Sequence, residues 1–266
     1  MNKVTRLKYY IESLCIYDFE DDDVFSALYD LLCDDEEDTV ALQSYFFKEL
    51  AKSESLKRHI SRLILTNDNI FTKAACAGKV NELSIAVINA VKSDLAKLEE
   101  IASLTAQDIL ADIDDEDIKE ILLTLPGWEV GKPLAPLDSH WDRQLDELIK
   151  YHRENGYGIY AKNIAFTWRD EEITPVNSID PIRLTDLKNY ELQRNKVIDN
   201  TESFIAGHPA NNVLLYGDRG TGKSSTVHAI LNEYWQQGLR MIEIPKSAVA
   251  DLSLIREQIA DSPMKF

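Results

Sequence analysis

Cysteine is scarce. Cys15, Cys33 and Cys76 are odd in number and none forms a CxxC pair, so neither a disulfide framework nor a zinc site is expected. Reduced thiols in a cytoplasmic protein are the expectation instead. Glycine and proline are few, 10 and 8, which excludes collagen-like or low-complexity linker character. No apolar run reaches the roughly 18 residues of a membrane-spanning helix, so no membrane span is predicted. The opening MNKVTRLKYYIESL has basic residues but no long apolar stretch and no small-residue cleavage site, unlike a signal peptide. The histidines, His59, His140, His152, His208 and His228, are scattered, with no HExxH motif and no nucleophile triad in sequence. Surface or packing roles are expected of them.

Positive charge is also in short supply, with 29 Lys and Arg against 46 Asp and Glu and a net charge of −17. The deficit lies in the first part of the chain. Residues 1–150 hold 31 acidic against 16 basic residues, a net of −15, whereas residues 151–266 hold 15 against 13, a net of −2. An acidic surface repels phosphate backbones, so nucleic acid and anionic membranes are disfavoured as partners. The near-neutral remainder can tolerate an anion. The acidic clusters at 34–38 and 114–117 lack the alternating ligands, central Gly and terminal Glu of a calcium loop. Solvated helix ends are expected there, or an electrostatic surface for a protein client.

What is present is apolar patterning. Hydrophobic residues make up 44% of 266, enough for the core of one large domain or two ordinary ones. Val24, Phe25, Leu28, Leu31 and Leu32 share one helical face behind the acidic run 21–23, which suits a helix N-terminus. The pattern continues through Val40, Leu42, Phe46, Phe47 and Leu50, then Leu56, Ile60, Leu63 and Ile64. A longer helix is predicted within 83–104, and a last one from Trp141 to Tyr151 before Asn155-Gly156. Residues 1–155 therefore read as an irregular α-helical domain without internal repeats. From 156 the texture changes. Aromatic and β-branched residues over 157–168 predict a strand, paired in a hairpin with Ile173 to Val176. A helix is predicted from Leu184 to Ile205, ending at Gly207-His208-Pro209.

Residues 211–216, NNVLLY, predict a short apolar strand that runs directly into Gly217-Asp218-Arg219-Gly220-Thr221-Gly222-Lys223-Ser224. That octapeptide satisfies GxxxxGK[ST], the P-loop or Walker A pattern. Gly217, Gly220 and Gly222 permit backbone angles and close approach that a Cβ would obstruct. Successive amides from Gly220 to Ser225, with Thr221 among them, can then turn inward as an anion nest at the start of a helix. Lys223 is the candidate contact to β- and γ-phosphates and the candidate catalytic residue. The Ser224 hydroxyl is the candidate Mg²⁺ ligand. Asp218 and Arg219 occupy variable positions of the motif, where solvent exposure is expected. A helix over 223–237, a Gly238 cap and a strand over 239–244 would complete a βαβ order.

Together the run NNVLLYGDRGTGKSS over 211–225 and GLRMIE over 238–243 resemble the AAA+ ATPase superfamily, and more narrowly a group of bacterial AAA+ ATPases grouped as a domain of unknown function. The stretch PIRLTDLKNY over 181–190, Asn200-Thr201 and residues 204–210 are similar to that group as well. The resemblance covers about 155–266 and implies the first part of an α/β nucleotide-binding domain behind the helical one. It implies ATP and Mg²⁺ as ligands and homo-oligomerisation. It also makes Ile182, Leu187 and Tyr190 candidates for an adenine pocket, with ordinary helix packing as the alternative. Asn189 departs from the pattern, standing where such segments often have Gly.

Hydrolysis in such proteins needs an apolar strand ending in acidic residues, the Walker B element. No such strand follows Ile244, and Asp251 and Asp261 lie in the wrong context for it. Sensor residues and an arginine finger are not found either. Lys265-Phe266 resembles the beginning of the Walker B strand, so a C-terminally incomplete chain is the expectation. Strands at 213–216 and 239–244 would then lack their neighbours and expose apolar faces. Three functions remain open: an ATPase that drives motion in the helical domain when complete, a nucleotide-gated protein-binding module, and a small-molecule kinase.

Overall fold

A computed structural model describes the chain at every residue except 35–37, 54, 177 and 261. The centre of the 34–38 acidic cluster and Asp261 therefore lie outside the described residues. The chain divides into two units, Met1–Tyr151 and His152–Phe266.

The first unit is helical: α1 (Lys3–Glu12), α2 (Asp23–Cys33), α3 (Thr39–Leu50), α4 (Leu56–Leu65), α5 (Ile70–Ala77), α6 (Ile85–Ile101), α7 (Ala106–Leu110) and α8 (Glu116–Leu122), with the division falling inside α9 (Leu145–Asn155). Helix starts follow capping chemistry. The Asp22 carboxylate accepts the Phe25 N–H at 2.9 Å at the head of α2, and Asn69 and Thr72 form a reciprocal capping box on α5. Apolar faces converge on Leu28, Phe46, Ile60, Phe71, Leu95, Leu98 and Trp141. The predicted 83–104 helix forms as α6, which buries Val91, Leu95, Leu98 and Ile101. The helix expected from Trp141 opens instead as a 3-10 turn over Trp141–Arg143. Glu99 accepts the N–H groups of His140 and Trp141 at 2.9 and 3.0 Å, which fixes that bend. One carboxylate is wholly enclosed. Asp94 Oδ2 accepts the N–H groups of Cys15, Ile16 and Tyr17 at 2.9, 2.7 and 3.3 Å, so backbone dipoles replace its water.

The second unit is an α/β layer arrangement around three strands. Helix α10 (Gly158–Lys162) leads to β1 (Ala165–Arg169) and β2 (Glu172–Pro175), then α11 (Glu191–Ile205), α12 (Lys223–Tyr234), β3 (Met241–Glu243) and α13 (Leu252–Gln258). The sheet order is β2-β1-β3, antiparallel between β1 and β2 and parallel between β1 and β3. Alternation along β1 separates two cores. Phe166 and Trp168 pack with Tyr160, Ile173 and Ile255, while Ala165 packs with Ile230, Leu231 and Tyr234 of α12. Arg240, 5% exposed, bonds the carbonyls of Asn155, Tyr160, Trp235 and Leu239 at 2.9–3.2 Å. Its charge thus sits beyond the C-terminal end of α12, where the helix dipole favours a cation.

Three expectations are corrected. The predicted 157–168 strand is a helix, α10, before β1 begins at Ala165, because Gly156 and Gly158 both adopt positive φ, 91° and 52°, and turn the chain first. The helix predicted from Leu184 is a 3-10 turn over Leu184–Asp186 followed by a break, and α11 starts only at Glu191. Asn189 and Tyr190, at φ 64° and 58°, make that break, since left-handed residues cannot continue a right-handed helix. Residues 211–216 form no strand. The sheet order places no ladder partner beside them, and a strand without a neighbour has nothing to pair its amides with. Leu214 and Tyr216 are 83% and 88% exposed, while Leu215 is half-buried.

Candidate functional site

The glycines of the 217–224 loop carry the conformations that motivated the motif. Gly217, Gly220 and Gly222 have φ of 140°, 83° and 80°, and Gly222 is the left-handed N-cap of α12. A Cβ at Gly220 or Gly222 would meet no heavy atom within 4 Å. Strain at positive φ, rather than crowding, is therefore what favours glycine there. Lys223 folds back over the loop. Its Nζ donates to the carbonyls of Gly217 at 3.0 Å and Asp218 at 2.6 Å and to Thr221 Oγ1 at 3.2 Å. Thr221 Oγ1 in turn donates to the Asp218 carbonyl at 2.9 Å. These bonds draw the carbonyls at 217 and 218 to one side.

The amides are left over. Among the described residues, the backbone N–H groups of 218–220 and 222–225 meet no hydrogen-bond acceptor, while the turn at 219–220 directs the Thr221 N–H toward the Asp218 carbonyl. Those of Lys223, Ser224 and Ser225 belong to the first turn of α12, where the helix dipole concentrates positive potential. The next residue, Thr226, closes the turn by bonding the Gly222 carbonyl through both its N–H and its hydroxyl at 2.8 Å. Ser224 is exposed and Ser225 half-buried, while Asp218 and Arg219 are exposed. Donors without partners, an ammonium and a helix N-terminus in one place are groups suited to an anion.

The loop forms one wall of a cleft of about 590 Å³ that also involves Leu187, Lys188, Asn189, Tyr190, Arg194 and Lys196. That volume lies within the range of small-molecule sites. Of the residues named as an adenine pocket, Leu187 and Tyr190 reach this cleft and Ile182 does not. The Ile182 carbonyl instead accepts a bond from Asn232 of α12 at 2.9 Å. Arg194 NH1 donates to the Leu187 carbonyl at 2.8 Å and holds the left-handed 189–190 corner in place. Sequence reasoning passed over Lys188, Arg194 and Lys196. Their signal was local: three basic residues against one acid over 187–197, in a half that is nearly neutral as a whole. Asp218 is the one carboxylate among the residues described around the cleft.

The helical unit assembles one further polar cluster. His59 Nε2 lies 2.7 Å from Asp22 Oδ1, and His59 Nδ1 lies 2.8 Å from both Ser53 Oγ and Arg62 NH2. A guanidinium can only donate, so Nδ1 is the acceptor and the ring proton sits on Nε2. Arg62 thereby occupies the lone pair that a general base would need. The cluster ties α2 to α4 rather than performing chemistry.

Residues 161–266 match a family described as "Protein of unknown function (DUF815)". The matched segment contains the whole loop and cleft and less than half of the chain. No curated protein and no solved structure matches the chain.

Proposed function

We propose that the second unit binds ATP with Mg²⁺ at the 217–225 loop, in the manner of an AAA+-like P-loop protein. The observation that carries the proposal is the set of unpaired amides at 218–220 and 222–225, in the loop that Lys223 closes. Triphosphate oxygens would satisfy these donors, and the Lys223 ammonium would exchange its weakest contact, Thr221 Oγ1, for β- and γ-phosphate. The exposed Ser224 hydroxyl suits a hard cation, which takes oxygen ligands, and the cation would neutralise phosphate charge. Leu187 and Tyr190 stand where a base would lie against apolar surface. Lys188 and Lys196 add favourable potential for a polyanion.

Binding is expected to exceed chemistry. Phosphoryl transfer to water needs an acid that holds the metal and orients the nucleophile, and Asp218 on a variable, exposed position does not serve. Hydrolysis and the mechanical work it drives therefore belong to an assembly with a suitable acid. The −15 charge of residues 1–150 favours a basic protein client for the helical unit, which nucleotide occupancy would gate.

Titration of a fluorescent ATP analogue with Mg²⁺ tests the reading. Lys223→Ala is expected to weaken binding about 10- to 100-fold, the loss of a charged hydrogen-bond donor. Equal binding by wild type and variant would sink the proposal. Phosphate release by the wild type should stay near background, and turnover at the order of 1 s⁻¹ usual for enzymes would overturn the binding-only assignment.

A further inference from the structure

Among the described residues, the segment from 211 to 217 is hydrogen-bonded at its two ends. At its far end Lys223 bonds the Gly217 carbonyl. At its near end the Asn200 side chain of α11 makes a two-way bond with the Asn211 backbone: Asn200 Nδ2 donates to the Asn211 carbonyl at 2.8 Å, and the Asn211 N–H donates to Asn200 Oδ1 at 2.8 Å. Among the described residues, the N–H groups of 212–217 have no hydrogen-bond acceptor. A carboxamide carries a donor and an acceptor side by side, as a peptide group does. Asn200 thus supplies the ladder partner that a neighbouring strand would otherwise supply.

We infer that Asn200 is a positioning residue for the anion-binding loop, a role that rests on the nucleotide reading above. The physical argument is one of preorganisation. Released from α11, the residues leading into Gly217 would sample many conformations, and a ligand would have to order them on binding. Clamped at Asn211, they present the loop ready-formed. α11 holds the opposite wall too, because Arg194 fixes the Leu187 carbonyl. The two contacts are separable: Asn200 acts on the phosphate side of the cleft and Arg194 on the 187–190 side.

That separation defines the experiment. Binding of Mg²⁺–ATP and of Mg²⁺–tripolyphosphate, which has no nucleoside, is measured for the wild type, Asn200→Ala, Asn200→Asp and Arg194→Ala, well below each melting temperature. Asn200→Ala is expected to weaken both ligands about tenfold. Asn200→Asp, which keeps the acceptor but turns a carboxylate on the Asn211 carbonyl, should weaken both at least as much. Arg194→Ala should weaken ATP several-fold more than tripolyphosphate, because loss of its charge acts on both ligands but loss of the 187–190 wall acts on ATP alone. Hydrogen exchange at the Asn211 N–H in the ATP-bound protein should be faster in Asn200→Ala than in wild type. Asn200 is half-exposed, and circular dichroism with melting temperature reports whether each variant is folded. If the wild type binds and folded Asn200→Ala binds equally well, the positioning role is overturned and the nucleotide reading stands. A loss confined to ATP would likewise overturn it, since the loop is then undisturbed. Failure of the wild type to bind either ligand overturns the nucleotide reading and this role with it.

Discussion

Cys76 and Cys15 differ only in surroundings. Burial pushes the Cys76 thiol up to about 12, so at neutral pH it has almost no thiolate, the form that reacts. Cys15 is exposed. Maleimide labelling of the native protein is expected to modify Cys15 first and Cys76 only after denaturation, read by peptide mass. Two acid-sensitive groups act in separate windows. Burial holds the His152 imidazole below its ordinary 6.5, partly opposed by the Gly156 carbonyl. The unfolded chain therefore takes up a proton that the folded chain refuses, and stability falls as pH drops from about 6.5. For Asp22, burial raises the carboxyl, but bonds from His59 and from the Phe25 and Val24 N–H groups outweigh it and hold it below 3.8. Its contribution is present above that value and lost as pH falls through the lower folded pKa. Urea midpoints across pH 7 to 3 should show both declines. His152→Gln should flatten the first, and Asp22→Asn the second, at a neutral-pH cost of about 1 kcal/mol.

Elements built from local chemistry are legible in the sequence itself. Asp22 ahead of Val24-Phe25 announces α2, and Gly238 announces the end of the α12 turn. The hairpin follows from Phe166, Trp168 and Ile173. The 217–224 glycines, being a backbone requirement, could be read singly. What could not be read were features that depend on neighbours. Val213, Leu214 and Tyr216 have strand-forming side chains, but strand formation is a property of pairs. The same limitation hid Lys188, Arg194 and Lys196, whose meaning comes from facing the loop across a cleft. Leu214 and Phe166 look alike in sequence and should respond oppositely to mutation. Leu214→Ser is expected to change unfolding free energy by no more than about 0.5 kcal/mol. Phe166→Ala, at a fully buried position, should cost about 3–5 kcal/mol. Equal costs in chemical denaturation would contradict the assigned exposure of the 211–216 segment.

At the scale of the whole chain, charge is distributed so unevenly that salt becomes a probe. Self-repulsion within residues 1–150 opposes compaction, and added salt screens it over roughly 8–10 Å near physiological strength. Each unit carries two of the four tryptophans: Trp128 and Trp141 in the first, Trp168 and Trp235 in the second. Pairwise Trp→Phe variants therefore allow each unit to be followed by fluorescence. Raising NaCl about fifteen-fold, from about 20 to 300 mM, shortens the screening length from about 20 to about 6 Å, which should raise the melting temperature reported from the first unit and leave the second nearly unchanged. The uncovered segment 211–216 carries a different consequence at this scale. Its Val213-Leu-Leu-Tyr216 run is a short apolar stretch without a charge of its own, the composition that seeds intermolecular pairing. Mutual repulsion between molecules keeps such stretches apart while the net charge is −17. Near the isoelectric point of about 4.7 that colloidal protection vanishes, so concentrated solutions should turn turbid there, and a lysine at Leu214 should delay the clouding.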